Sequence, residues 1–179
     1  MKTETKSSKA MTSKFTMKNK VLLSLRKHVA FLLIVLLIPI LAYWVSVNYY
    51  QVMLIQGDSM LPSYHNMEFV LLDKHSHSYT YGDVIAFECE GVSGVLVKRI
   101  AACPMDEVVI TDGTLYVNGV ISHVYPQKYI FEDAGILEYT IRLSETEYFV
   151  IGDNSNSSKD SRDSEIGLIA EDSILGKIK

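Results

Sequence analysis

Two patterns of apolar and polar positions divide this chain. Residues 29–47 read VAFLLIVLLIPILAYWVSV, nineteen positions without a charge and without polar alternation. At about 1.5 Å of rise per residue, a helix of that length spans the roughly 30 Å hydrocarbon core of a bilayer. The run therefore predicts a transmembrane helix. Pro39 is tolerated there, where it can kink the helix. From residue 55 onward the pattern becomes short apolar runs separated by turn residues, the signature of β-strands. Such runs fall at 69–72, 84–87, 95–100, 108–111, 115–117, 139–143, 148–151 and 174–178. Asp112-Gly113 between two of them is a hairpin signal. Helical periodicity is scarce beyond the apolar run. The expectation is a mostly β chain: one transmembrane helix, then an antiparallel β barrel or sandwich.

Charge adds direction to that picture. The net charge of −4 combines +7 over residues 1–47, from eight Lys/Arg and Glu4, with −11 over the remainder. Lys18, Lys20, Arg26 and Lys27 precede the apolar run; Tyr43, Trp44, Tyr49 and Tyr50 close it. Basic flanks stay in the cytoplasm and aromatic rings prefer the interface, so the N-terminus is expected inside and residues 48–179 outside. A cleaved signal peptide has a shorter apolar core followed by small residues. Here the bulky Tyr43-Trp44-Val45 occupies that place. The division is thus a basic cytoplasmic tail over 1–28, disordered over 1–20, an anchor over 29–47, and one outer domain over 48–179. An acidic outer domain argues against nucleic acid as a partner. The lipid bilayer is the partner that the anchor implies. Cys89 and Cys103 are either paired in an oxidising compartment or two half-buried thiols. No Cys/His spacing suggests a metal, and none is expected.

Two polar residues stand in unusual settings. Lys98 follows Val95-Leu96-Val97 and precedes Arg99-Ile100. Period-two alternation puts it on the same face as Leu96 and Ile100. A lysine buried there loses its proton more easily and can act as a base. A surface lysine snorkelling from a short edge strand fits the pattern equally well. Ser59 lies in Gly57-Asp58-Ser59-Met60-Leu61-Pro62. A serine beside a backbone N–H that can bind an oxyanion is a candidate nucleophile, although an ordinary turn explains the same residues. The segment 153–165 reads as a polar, serine-rich loop.

Four segments in order behind the anchor resemble the type I signal peptidases, the Ser-Lys enzymes of peptidase family S26 that release exported proteins from their signal peptides. They are 57–62, Tyr81-Gly82-Asp83-Val84, the run 98–106, and the run 152–162 beginning Gly152-Asp153-Asn154. The resemblance implies a membrane-bound serine endopeptidase, in a compact form like those of Gram-positive bacteria, that acts on preproteins without a cofactor. It implies Ser59 as nucleophile, Lys98 as general base, and the Ser59 N–H as part of the oxyanion hole. It implies Ser158 as the hydroxyl that orients the lysine amine. Asp160 and Arg162 become an ion pair supporting the loop that Gly152, Asp153 and Asn154 shape. Met60 and Pro62 become candidates for the substrate pockets, which in this family accept small residues at the first and third positions before the cut. A peptidase dedicated to pilins or conjugative-transfer proteins, or an inactive tethered module, would share these features.

Three positions depart from the family. Gly57 stands where some members carry a hydroxyl, Ser155 where arginine is common, and Met105 where glycine is common. Met105 lacks glycine's freedom at positive φ, so its turn is expected to differ.

Overall fold

The computed structural model describes residues 4–125 and 129–179, with side chains described from residue 25 onward. The chain forms two compact units, Met1–Val47 and Asn48–Lys179.

The first unit is a single helix, α1 (Glu4–Asn48), with Pro39 inside it. Its segment Leu25–Asn48 has a mean hydropathy of 2.6 and is long and apolar enough to cross a membrane. The basic segment expected to be disordered is helical from Glu4. The cause is local: residues 4–38 contain neither glycine nor proline. A helix nucleated in the apolar run therefore extends upstream at little further cost.

The second unit holds two antiparallel sheets. Its strands are β1 (Tyr50–Leu54), β2 (Phe69–Asp73), β3 (Val84–Cys89), β4 (Val92–Ala102), β5 (Glu107–Thr111), β6 (Thr114–Val117), β7 (Val120–Ile121), β8 (Ile141–Arg142), β9 (Glu147–Ile151), β10 (Ile169–Ala170) and β11 (Ile174–Ile178). One sheet runs β1-β2-β11-β3-β4-β9-β10, the other β7-β6-β5-β8. Tyr50, expected at the membrane interface, instead opens β1 and pairs with Asp73. The strand expected over 139–143 shrinks to β8, because a 3-10 turn at Gly135–Glu138 precedes it and Tyr139 faces solvent.

Hairpin chemistry sets the smaller sheet. Asp112 and Gly113 both take positive φ, at 49° and 71°. That is the two-residue turn whose twist matches the flanking strands β5 and β6. Three apolar clusters fill the interior. One packs Val108, Leu115, Leu137 and Phe149 on the smaller sheet. A second gathers Ile55, Met60, Val70 and Leu72 below β2, and a third gathers Ile85, Phe87, Ile100 and Val150. The thiols of Cys89 and Cys103 are free and pack against this third cluster.

β4 is the central element for function. It pairs with β3 along its length, so that Ile85 faces Lys98, and with β9 only near its end, where Arg99 faces Ile151. Antiparallel continuation of that register brings Gly152, where the chain leaves β9, alongside Lys98. Two segments about 54 residues apart in sequence are thereby joined at one point.

Candidate active site

Lys98 is 4% exposed in the middle of the sheet, which decides between the two placements its pattern allowed. Its Nζ lies 2.8 Å from Ser59 Oγ and donates to its neighbour's carbonyl, Val97 O, at 3.0 Å. Burial pushes the amine below the ordinary lysine range, and the carboxylates of Asp160 and Asp153 oppose that shift less strongly. A charged amine loses hydration there that one backbone carbonyl and one hydroxyl do not replace. The neutral amine can accept the Ser59 proton.

Ser59 sits in a turn, not a strand. Leu61 N–H donates to Asp58 O at 3.2 Å, and Tyr64 N–H to Met60 O at 2.9 Å. Gly57 enters that turn at φ +89°, a conformation that a side chain would resist. Its N–H is already given to Asn66 Oδ1 at 3.0 Å. Among the described residues, the Ser59 N–H has no acceptor. Met60 is 1% exposed and belongs to the second apolar cluster. Its side chain ties the residue next to Ser59 into the core. Pro62 is exposed.

The 152–162 segment closes the far side. Asn154 N–H donates to Ser59 O at 2.9 Å, and its side-chain amide to Asp58 O at 3.1 Å. Gly152 has no side chain because no space exists for one: a Cβ there would fall 2.2 Å from Ser158 Oγ and 2.5 Å from Ser59 O. The Ser158 hydroxyl is buried and makes no hydrogen bond. The expected bond from Ser158 to the lysine amine is therefore not formed, and Val97 O takes that orienting place. A cavity of about 700 Å³ opens along this loop, between Glu132, Asp133, Ser158 and Lys159. Ser59 and Lys98 are not in its walls.

Two ion pairs hold the wall, one buried and one half-buried. Arg162 meets Asp160 through Nε–Oδ1 at 2.8 Å and NH2–Oδ2 at 3.0 Å. Asp160 Oδ2 also accepts the Gly152 N–H at 3.1 Å. Arg162 donates further to Ser155 O and lies 5.3 Å from the Phe131 ring centre. Ser155 thus supports the loop through its backbone. The second pair joins Arg99 to Asp153, at 2.6 Å through Nε and 2.5 Å through NH2. Arg99 also donates to Gly82 O at 2.7 Å. Tyr125 donates to Ile151 O at 3.0 Å and to Asp153 Oδ1 at 3.3 Å. Sequence reasoning missed Arg99 and Tyr125 as parts of the site. The signal for Arg99 was present, a cation next to the buried lysine and necessarily on the opposite face of β4.

The turn after β4 places a non-glycine residue in the left-handed region. Met105 itself adopts φ +70°. Asp106 pins the turn by accepting the Cys103 N–H at 2.7 Å and the Tyr81 hydroxyl at 2.8 Å. Burial, with Asp106 adjacent, pushes the Cys103 thiol up to about 11.

Comparison with known proteins identifies relatives of this chain. The family described as "Signal peptidase, peptidase S26" matches residues 26–179. Signal peptidase I U of Bacillus subtilis (strain 168) is 28% identical over 79% of this chain and 80% of its own length. Signal peptidase I T of the same strain is 32% identical over 70% of each. A solved signal peptidase I from Enterococcus faecalis covers 57% of this chain and 97% of its own, at 26% identity and a TM-score of 0.47. The chain belongs to the signal peptidase family, peptidase S26.

Proposed function

We propose that this protein is a signal peptidase I, a membrane-bound serine endopeptidase that cuts signal peptides from exported preproteins with Ser59 and Lys98. The 2.8 Å contact between a buried lysine amine and the Ser59 hydroxyl carries this reading. The neutral amine takes the hydroxyl proton as Ser59 Oγ bonds to the scissile carbonyl carbon. The resulting oxyanion is met by the unengaged Ser59 N–H. The C–N bond then breaks, and the lysine returns its proton to the leaving amine. Water, deprotonated by the same lysine, attacks the Ser59 ester; the signal peptide leaves with a free carboxylate and Ser59 recovers its proton. No redox or metal chemistry enters these steps.

The apolar span Leu25–Asn48 supports anchoring in a membrane. The basic residues ahead of it support a cytoplasmic N-terminus, which puts the catalytic unit on the outer face. Ser158 supports the site as a buried hydroxyl without a hydrogen-bond partner, free to bond to the lysine amine or to an incoming peptide. Purified preprotein offered to wild type, Ser59→Ala and Lys98→Ala tests the assignment. Both variants are expected to fold and to lose cleavage; an active Ser59→Ala enzyme would refute it.

A further inference from the structure

A base that must be neutral stands here within the electrostatic reach of two carboxylates. Asp153 and Asp160 both belong to the segment that touches Ser59, one adjoining Gly152 and the other accepting its N–H at 3.1 Å. Asp160 is buried and Asp153 half-buried, with side-chain exposures of 0% and 8%. In such surroundings a carboxylate acts on a nearby amine far more strongly than in water and favours its charged form. The loop nevertheless needs both acids, because they organise its backbone. Each is met on both oxygens by its own guanidinium, Arg99 for Asp153 and Arg162 for Asp160. Neither arginine makes a hydrogen bond to Ser59 or Lys98.

We propose that Arg99 and Arg162 are positioning residues of an electrostatic kind, shields that cancel two structural carboxylates so that the Lys98 amine is free to lose its proton. The inference rests on Lys98 being the base. Arg99 suits the task because it follows Lys98 directly and points to the opposite face of β4, where Gly82 O and Ser63 Oγ fix it. It reaches Asp153 without competing for Ser59. The Lys98 shift has the expected balance, with burial lowering it against a smaller opposing pull from Asp160 and Asp153. The other titratable groups around this cluster do not replace the shields. Tyr125 is held neutral, its hydroxyl pushed well above the ordinary range by burial. Tyr64 acts on Arg99. Asp133 offers Arg162 its backbone carbonyl at 3.2 Å. Asp58 is exposed, and exposed Lys159 is paired with Glu165 at 2.5 Å.

The test compares opposite charge removals on one pair. The pH dependence of kcat/KM is measured for the full chain in detergent micelles with a purified preprotein, for wild type, Arg99→Gln, Asp153→Asn and the double variant. Baring the carboxylate should move the midpoint of the rising limb up by about one pH unit. Baring the guanidinium should move it down, and the double variant should return close to wild type. Arg99→Lys, which keeps the charge without the fork, should restore much of the midpoint. A second readout avoids catalysis: in a Ser59→Ala background, the pH dependence of Lys98 acylation by an amine reagent, followed by mass spectrometry, should keep the same order. A purely structural pair would lower kcat in every variant without moving the midpoint in opposite directions. That result, or shifts of one sign, overturns the proposal. Should Arg99→Gln not fold, the downward shift in Asp153→Asn and its reversal in the double variant decide the matter. A wild type without cleavage, or with a flat pH profile, would instead overturn the lysine base itself.

Discussion

Adding one methyl group at residue 152 probes the site where its two halves meet. Gly152 does not have a left-handed φ, so alanine there suffers no backbone penalty and the effect is purely steric. The new Cβ would lie 2.5 Å from Ser59 O, against an ordinary contact of at least 3.4 Å. Ser158 Oγ, at 2.2 Å, is a side-chain tip and can rotate away. The Ser59 carbonyl cannot, because it is backbone and is held by the Asn154 N–H at 2.9 Å. Relief therefore displaces the nucleophile by about 1 Å, a misplacement that costs about 100-fold in rate. That corresponds to about 2.7 kcal/mol of transition-state stabilisation. Overpacking should lower stability by about 1–3 kcal/mol. The assay is kcat/KM on a purified preprotein together with a thermal melt. Gly57→Ala is the comparison: it takes φ +89° with no atom within 4 Å of the added Cβ, so it should lose about 1–2 kcal/mol of stability without a clash. Wild-type kcat/KM in Gly152→Ala would refute the inferred contact between this wall and Ser59.

Other outcomes follow from burial and pairing. Lys98→Met should abolish cleavage yet be more stable than wild type at neutral pH. The unfolded lysine holds its proton up to about 10.4, whereas the folded one releases it at lower pH, so wild-type stability rises with pH through that window. The advantage of Lys98→Met should be largest below the window and shrink above it, as chemical denaturation at several pH values would show. Arg162→Ala leaves the buried Asp160 carboxylate without its partner and should lose about 3–5 kcal/mol in the same measurement. Ser158→Ala deletes a buried hydroxyl that has no hydrogen-bond partner, so its melting temperature should hold or rise. If that hydroxyl serves the lysine or the substrate during turnover, kcat should fall in the same variant; unchanged kcat would remove Ser158 from the site.

The β character of the second unit was legible because its strands carry their own signals. Runs at 84–87 and 148–151 are apolar enough to be buried on both faces, and Asp112-Gly113 has the residues its turn demands. Asn118-Gly119, with φ of 53° and 75°, carries an equally plain signal for the hairpin between β6 and β7. β1 was less legible because Tyr49 and Tyr50 suit a membrane interface as well as a strand. The helix start was missed for the opposite reason: Lys, Ser and Thr are as compatible with an upstream helical extension as with a solvated tail. Ser59 and Lys98 were found by their local sequence, and their roles by resemblance.

The residues alone determined the apolar span and the antiparallel strands and singled out Ser59 and Lys98 as candidates, because each of these rests on local hydropathy, turn chemistry or side-chain type. The tertiary structure decided what those groups can do. Whether Lys98 snorkels or is buried depends on β3 and β9 closing over β4, an event set by strand pairing across the whole domain. The 2.8 Å approach to Ser59 depends on a register that brings Gly152 opposite Lys98. The pairing of Arg99 with Asp153, 54 residues away, was hidden for the same reason: ion pairs are made in space, and no local pattern encodes them.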